Sequence, residues 1–477
     1  MIFERKDHDI VSAPANPAPD LWCTYAAVRT LRWLNYAFND DFFERTLAYI
    51  NSRRNSDGGY GWSRGMQSDA WATFYSTQAI VDLGSIIPNL SRTQDWLWTT
   101  WDGNAFGMLP GQRPDIWATH FSARTAIEIC RELPPGTSSL LRWLGSLQTS
   151  TGGLSWSPEH ANQGLADARA CFYGVMAWRA ISTKVNVAPP WDITKLSSWL
   201  QDRQHSEGGF TFSERAKIPC MWATYRATQT LAALGKPCAD PDQCVRWIMR
   251  QRGKNGAFVR WQSYPIEDVW ASFCAIGSLN ALGKKAEIES VRPSVRYVLG
   301  TMQCSNGGFT YRETGKAADV LSTSAKILEG TPNRDEARQL VSWIESCQLP
   351  NEPGVMYMPG RGAEVRCTLW ALAAGAFIQG NYESPRPELN ELVDWLLGLQ
   401  NPDGGFGYWE GRGSDMVSTA AAIEAISLAG HPTALPSVIG FIESCHQPDT
   451  AGEDTYSNVP GGQPRYARGC KPIGSVT

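Results

Sequence analysis

The stretch Asp69-Ala-Trp-Ala-Thr-Phe-Tyr-Ser-Thr-Gln-Ala-Ile80 decides how the chain reads. Asp69 suits a helix N-cap, where its carboxylate accepts from the free N–H groups of the first turn. The dozen residues that follow are small or apolar on every side, which marks a helix packed all round. The opening phrase recurs as Asp20-Leu-Trp-Cys-Thr, Asp115-Ile-Trp-Ala-Thr, Asp167-Ala-Arg-Ala-Cys and Cys220-Met-Trp-Ala-Thr. It continues as Asp268-Val-Trp-Ala-Ser, Asp319-Val-Leu-Ser-Thr, Glu364-Val-Arg-Cys-Thr and Asp415-Met-Val-Ser-Thr. The nine starts lie 45–53 residues apart. A period of this length predicts stacked helical hairpins.

A second, amphipathic helix is predicted after each phrase, typically with a Trp near its end: Trp143, Trp199, Trp247, Trp343 and Trp395. One apolar face and one charged face place it on the outside. Turns such as Gln148-Thr-Ser-Thr-Gly-Gly-Leu154, Gln204-His-Ser-Glu-Gly-Gly-Phe210, Gln303-Cys-Ser-Asn-Gly-Gly-Phe309 and Gln400-Asn-Pro-Asp-Gly-Gly-Phe406 follow. Their glycines admit positive φ, which stops the helix and reverses the chain. None continues as Gly-Lys-Ser/Thr, so they are not phosphate loops. A unit of inner helix, outer helix and turn cannot bury its own apolar face and must stack on neighbours.

The bulk numbers exclude several classes. A net charge of −4 over 477 residues gives no basic surface for nucleic acid. No run of 18 apolar residues exists, so no transmembrane segment is expected. The charged start, Met1-Ile-Phe-Glu-Arg-Lys-Asp-His8, lacks the apolar core of a signal peptide. The twelve cysteines are scattered and read as reduced thiols of a cytoplasmic protein. Cys238 and Cys244 come nearest to a pair, at a spacing that fits no standard zinc motif.

The Gln-x-x-x-Gly-Gly-Phe turns resemble the QW-type repeats of triterpene and diterpene cyclases. They also resemble the Gly-Gly-Phe-Gly turns of protein prenyltransferase β subunits, and the inner-helix phrase resembles both families over residues 20–445. The resemblance implies an all-α fold of repeated hairpins forming an (α/α) toroid in two helical domains. By analogy with class II terpene cyclases, residues 1–65 and 216–477 would form the main barrel (repeats one and five to nine). Residues 66–215 (repeats two to four) would form a smaller inserted domain; a continuous nine-unit solenoid is the structural alternative.

The same resemblance implies a cavity mouth at the inner-helix N-termini. The protonating Asp-x-Asp-Asp-Thr-Ala motif of class II cyclases is missing, because the third and fourth positions are Trp-Ala in four repeats and Asp-Asp in none. The nearest acidic pair, Glu267-Asp268, is the candidate general acid, with an N-cap and a surface residue as the plain alternative. Prenyltransferase zinc sites need Asp-x-Cys and a His. No repeat has Cys at the third position, and of six histidines only His120 lies at an inner helix, so no zinc is expected. No other cofactor is expected, save Mg²⁺ if the substrate is a diphosphate.

Arg169 and Arg366 break the tryptophan rule. They look like the Asp-Val-Arg-Ser phrase of prenyltransferase β subunits, whose Arg faces the cavity. A guanidinium there suits a diphosphate or carboxylate, or forms an internal ion pair with the Asp or Glu caps. Trp22, Trp71, Trp117, Trp222 and Trp270 either stabilise cations in an aromatic interior or fill space between hairpins. Asp40-Asp41-Phe-Phe-Glu44 mimics a metal-binding acidic motif but lies in the hairpin connection of repeat one, where a surface charge run is expected. The leading expectation is a terpene cyclase-like enzyme acting on an isoprenoid, with a small hydrophobic substrate and no nucleic-acid partner. Prenyl transfer from a prenyl diphosphate and a non-catalytic binder or toroid recruited to other chemistry are the alternatives.

Overall fold

The computed structural model describes residues 19–310 apart from 63, 65, 215, 217 and 262–266. Beyond 310 it describes 353–356, 363–379, 389–409, 412–431, 436–448, 454–457 and 464–467, with isolated positions between 324 and 348. Six inner helices come first: α1 (Leu21–Trp33), α3 (Ala70–Asp82), α5 (Ile116–Arg124), α8 (Ala168–Val185), α10 (Met221–Ala233) and α12 (Val269–Ala281). They alternate with outer helices α2 (Asp40–Asn51), α4 (Leu90–Trp98), α6 (Thr137–Gly145), α9 (Ile193–Gln201), α11 (Pro241–Arg250) and α13 (Lys285–Gly300), with a short α7 (Pro158–Asn162) ahead of α8. Helices α14 (Val365–Gln379), α15 (Asn390–Leu397), α16 (Met416–Leu428) and α17 (Pro436–Ser444) belong to repeats eight and nine. A small antiparallel sheet, β1 (His446–Pro448), β2 (Asp454–Ser457) and β3 (Pro464–Ala467), follows. Eight of the nine phrases open helices as expected; the ninth, at Asp319, lies outside the described residues.

Each letter of the phrase has a job. The first residue caps its helix: Asp20, Asp69, Asp115, Asp268 and Asp415 accept from the N–H three residues on, at 2.6–3.1 Å. The fifth residue holds the preceding turn. Thr73 Oγ1 accepts from Tyr60 N, Thr119 from Phe106 N, Thr224 from Phe210 N and Thr419 from Phe406 N, at 2.9–3.1 Å. The first helical N–H donates to the following turn, as Ala70 N does to Met108 O and Met221 N to Arg260 O. Inner helices α3, α5, α8 and α10 are thereby each stitched to two turns at their N-terminal ends.

The turns explain the Gln and the outer Trp. Gln148 and Gln204 each donate to the carbonyl of the first turn glycine and to the carbonyl of Asp192 or Asp240, the cap of the next outer helix. Gly152 and Gly208 have φ of 106° and 113°, open to glycine at no steric cost. The next glycine is fixed by contact: a Cβ on Gly153 or Gly209 would lie 2.6 Å from the ring of Trp199 or Trp247.

The inner helices pack in the cyclic order α1, α3, α5, α8, α10, α12 and back to α1. Closure uses the same bonds as every other junction. Phe309 N donates to Thr24 Oγ1 at 2.9 Å, and Asp20 N donates to Phe309 O at 2.9 Å. Repeat one therefore takes as its preceding turn the one that ends repeat six. This corrects the expected division. Repeats one to six form one consecutive ring, and residues 66–215 are part of its wall rather than an insertion. Helices α14 and α16 pack on each other outside it.

Candidate active site at the mouth of the ring

Lumen-facing positions recur at helical spacing i, i+4 and i+7. The first layer is Trp22, Trp71, Trp117, Arg169, Trp222 and Trp270, all buried. Trp22 meets Trp270, Trp71 and Trp222 with ring centroids 4.4, 5.4 and 5.9 Å apart, the last across the lumen. The structure thus brings together the five predicted tryptophans, and they fill the mouth instead of lining an open one. Trp409, from the turn before α16, inserts among them. It stacks on Trp117 with centroids 3.8 Å apart and planes 6° apart, and lies 6.0 Å from Trp71 and 6.2 Å from Trp222. Arg412 from the same loop lies 4.8 Å over Trp117 and pairs with Asp115 at 3.1 Å. Gln112 donates to Gly413 O at 3.1 Å. Repeat nine therefore stoppers the ring.

Arg169 takes the sixth place in the aromatic layer. Its Nε and Nη2 donate to both oxygens of its own cap, Asp167, at 3.0 and 2.8 Å. Its guanidinium lies 4.7 Å from Phe212 and 5.2 Å from Trp156. Of the two expected roles, the internal ion pair accounts for these donors. Arg366 is not brought to this cluster by any described contact. Its side chain is 37 % exposed, 4.0 Å from Glu364 and 5.2 Å over Tyr408. His120 lies one turn below the mouth, among Phe74, Phe121, Phe172 and Tyr173. Burial and the neighbouring Arg124 and Arg226 charges push its pKa well below the ordinary value, so it is neutral.

The two candidate acids part company. Glu267 Oε1 accepts from Asn255 N at 2.8 Å and Gly256 N at 3.0 Å, so it holds the turn before its own helix. Asp268 is wholly buried; Oδ1 accepts from Ala271 N at 2.6 Å, and Oδ2 has no hydrogen-bond donor in the protein. Burial pushes its carboxyl up to about 7, against the opposing pull of Arg260 and two backbone N–H groups. Burial also raises Asp115 and Asp415. Asp40 and Asp41 sit on the first turn of α2, with Asp41 paired to Arg45, as a surface run would.

Sequence reasoning missed Trp409, Arg412 and the residues two places after the turn aromatic. That position reads Trp62, Trp156, Phe212 and Tyr408, an aromatic row interrupted by Met108 and Arg260. Among the described residues no three His, Cys, Asp or Glu are placed to hold a metal ion. The described cysteines are buried, and no described helix is long and apolar enough to cross a membrane.

Residues 3–101, 67–216, 171–319 and 317–463 each match the prenyltransferase alpha-alpha toroid domain. Drimenyl diphosphate synthase of Streptantibioticus cattleyicolor is 27 % identical over 169 residues, 34 % of this chain and 31 % of that protein. The chain thus matches about a third of that relative's length. A type II terpene cyclase from Scytonema is 13 % identical, with 58 % of this chain and 90 % of that one covered at a TM-score of 0.40. Protein geranylgeranyltransferase-I of Candida albicans is 15 % identical, with 67 % and 90 % covered at a TM-score of 0.35. With family matches running through nearly all of its length, the chain belongs to the prenyltransferase α-α toroid family.

Proposed function

We propose that this chain is a terpene cyclase-type enzyme that starts carbocation chemistry on an isoprenoid, with Asp268 as the general acid. The observation that carries the reading is the Asp268 carboxyl: wholly buried, with Oδ1 accepting from Ala271 N, and pushed by that burial up to about 7. A carboxylic acid in that state can give its proton to an alkene or epoxide, leaving a carboxylate and a carbocation. The cation then closes rings and ends by losing a proton. Aromatic faces stabilise such a cation by about 0.5–2 kcal/mol each, and the tryptophan layer supplies them. Glu267 is left out of the chemistry because it holds a turn. The drimenyl diphosphate synthase relative, by its name, supports a diphosphate-bearing isoprenoid as the substrate class, and Mg²⁺ would accompany such a substrate. Entry requires the Trp409 stopper to withdraw.

The test incubates the protein with prenyl diphosphates, squalene and prenylated aromatics and identifies products by mass spectrometry. A cyclised product is expected, lost in Asp268→Asn while helical circular dichroism is retained. The rate should fall about tenfold per pH unit above pH 7, as the acid loses its proton. Turnover by Asp268→Asn at the wild-type rate would remove Asp268 from the mechanism.

A further inference from the structure

We infer that the lumen of the ring holds an oxyanion site at Arg226, one turn below the tryptophan layer. The second lumen layer is Ala26, Tyr75, Phe121, Tyr173, Arg226 and Cys274, each four residues on from the first. Arg226 is 4 % exposed. Its guanidinium carbon lies 4.2 Å from the Phe172 ring centroid, 4.9 Å from Tyr173, 5.4 Å from Tyr225 and 5.6 Å from Trp222. The rings cover the faces of the guanidinium, so its N–H groups, which point outward in the plane, must find acceptors there. One reaches the Tyr173 hydroxyl at 3.3 Å, and Nε has no acceptor in the protein.

The other lumen arginines differ in kind. Arg169 faces Asp167, Arg29 faces Asp82 and Arg124 faces Glu128, whereas no described carboxylate pairs with Arg226. Burial holds the neighbouring Cys274 as a neutral thiol and Tyr173 as a neutral phenol, so neither supplies a counter-charge. Other donors nearby also lack protein acceptors: the indole N–H groups of Trp117, Trp222 and Trp270. Going round the ring from Arg226, the next two members of its layer are the small side chains of Cys274 and Ala26. Unpaired donors thus lie at Arg226 and in the tryptophan layer above it, with the smallest side chains of its own layer beside the cation. A buried charge in that state is costly unless something pairs with it. A phosphate, diphosphate or carboxylate supplies both the charge and the acceptors, and a guanidinium fork matches it with two parallel bonds. Tyr173, whose oxygen accepts from Arg226, has its own proton left to donate to the anion.

The site is independent of the cyclisation reading. Only its identification with an isoprenoid head group rests on that reading. Calorimetric titration of the full chain with inorganic pyrophosphate at pH 7.5 tests it. Wild type should bind, Arg226→Met should bind at least about tenfold more weakly, and Arg226→Lys should fall between them. The unliganded Met variant should melt at or above the wild-type temperature, because a buried charge has gone. Competition separates the sources: displacement of pyrophosphate by geranylgeranyl diphosphate but not geranylgeraniol identifies a lipid head group, and no displacement identifies a free anion. No pyrophosphate binding by wild type, or equal binding by Arg226→Met, would overturn the site. A Met variant that melts lower or fails to fold would make Arg226 a structural cation and overturn it equally.

Discussion

The ring and the C-terminal repeats are written in the same phrase and differ at its third position. In the ring that position carries Trp22, Trp71, Trp117, Trp222 and Trp270, all buried and in mutual contact. In α14 and α16 it carries Arg366 and Val417, 37 % exposed in each case. The cap and the turn-holding threonine are unchanged: Thr368 and Thr419 accept from Val355 N and Phe406 N just as Thr73 does from Tyr60 N. The first and fifth letters therefore build the hairpin in both regions, while the third differs between them, except that an arginine stands there once in each, buried at Arg169 and half-exposed at Arg366. A hairpin is a local object. A lumen is a property of the closed set.

The sharpest way to break this comparison is to truncate the third position in both regions. Trp22→Ala should destabilise the protein by about 3–5 kcal/mol, because it empties a site packed by three other tryptophans. Val417→Ala should cost under about 0.5 kcal/mol. Urea unfolding measures both, and equal effects would refute the distinction. The arginines give a second contrast. Arg169→Leu strands the buried Asp167 carboxylate and should cost about 3 kcal/mol. Arg366→Leu removes a longer pair, 4.0 Å, from a buried Glu364 that also accepts from Cys367 N, and should cost less than Arg169→Leu. A loss of substrate affinity in Arg169→Leu without a fall in melting temperature would restore it as a ligand anchor. The smallest effect sharpens the role of closure. Thr24→Val leaves Phe309 N–H without its acceptor and should cost about 1–2 kcal/mol. Hydrogen exchange should quicken on both sides of that junction, at residues 20–24 and 303–310, and not at the junction of Thr224 with Phe210.

The hairpins were legible because each rests on neighbours in sequence: an Asp cap, a glycine with positive φ, a Trp near the end of an outer helix. The closure was not legible from the phrase alone, because it turns on which turn serves the first helix. One signal was present. No Gly-Gly turn precedes Asp20, so repeat one had to find its turn elsewhere, and Phe309 supplies it from 285 residues away in sequence. The site was half legible. The tryptophans cluster as their shared register implied, but a register cannot say that they meet instead of facing a void. Arg169 drew notice by breaking the rule at the third position. Arg226 breaks a rule one turn deeper, where the ring members vary too much for an exception to stand out.

The Asp20–Phe309 seam makes residues 19 and 310 neighbours at a junction built like the other five. The order in which the ring's hairpins are strung along the polypeptide is thus separable from the shape they make. Joining 310 to 19 and opening the chain at Gly164, where an added Cβ would meet nothing within 4 Å, should give a circular permutant with the same toroid. Such a permutant would carry its new ends at the tip of repeat four's loop and leave the C-terminal stopper to be attached as a separate piece, turning one chain into a ring and a detachable lid.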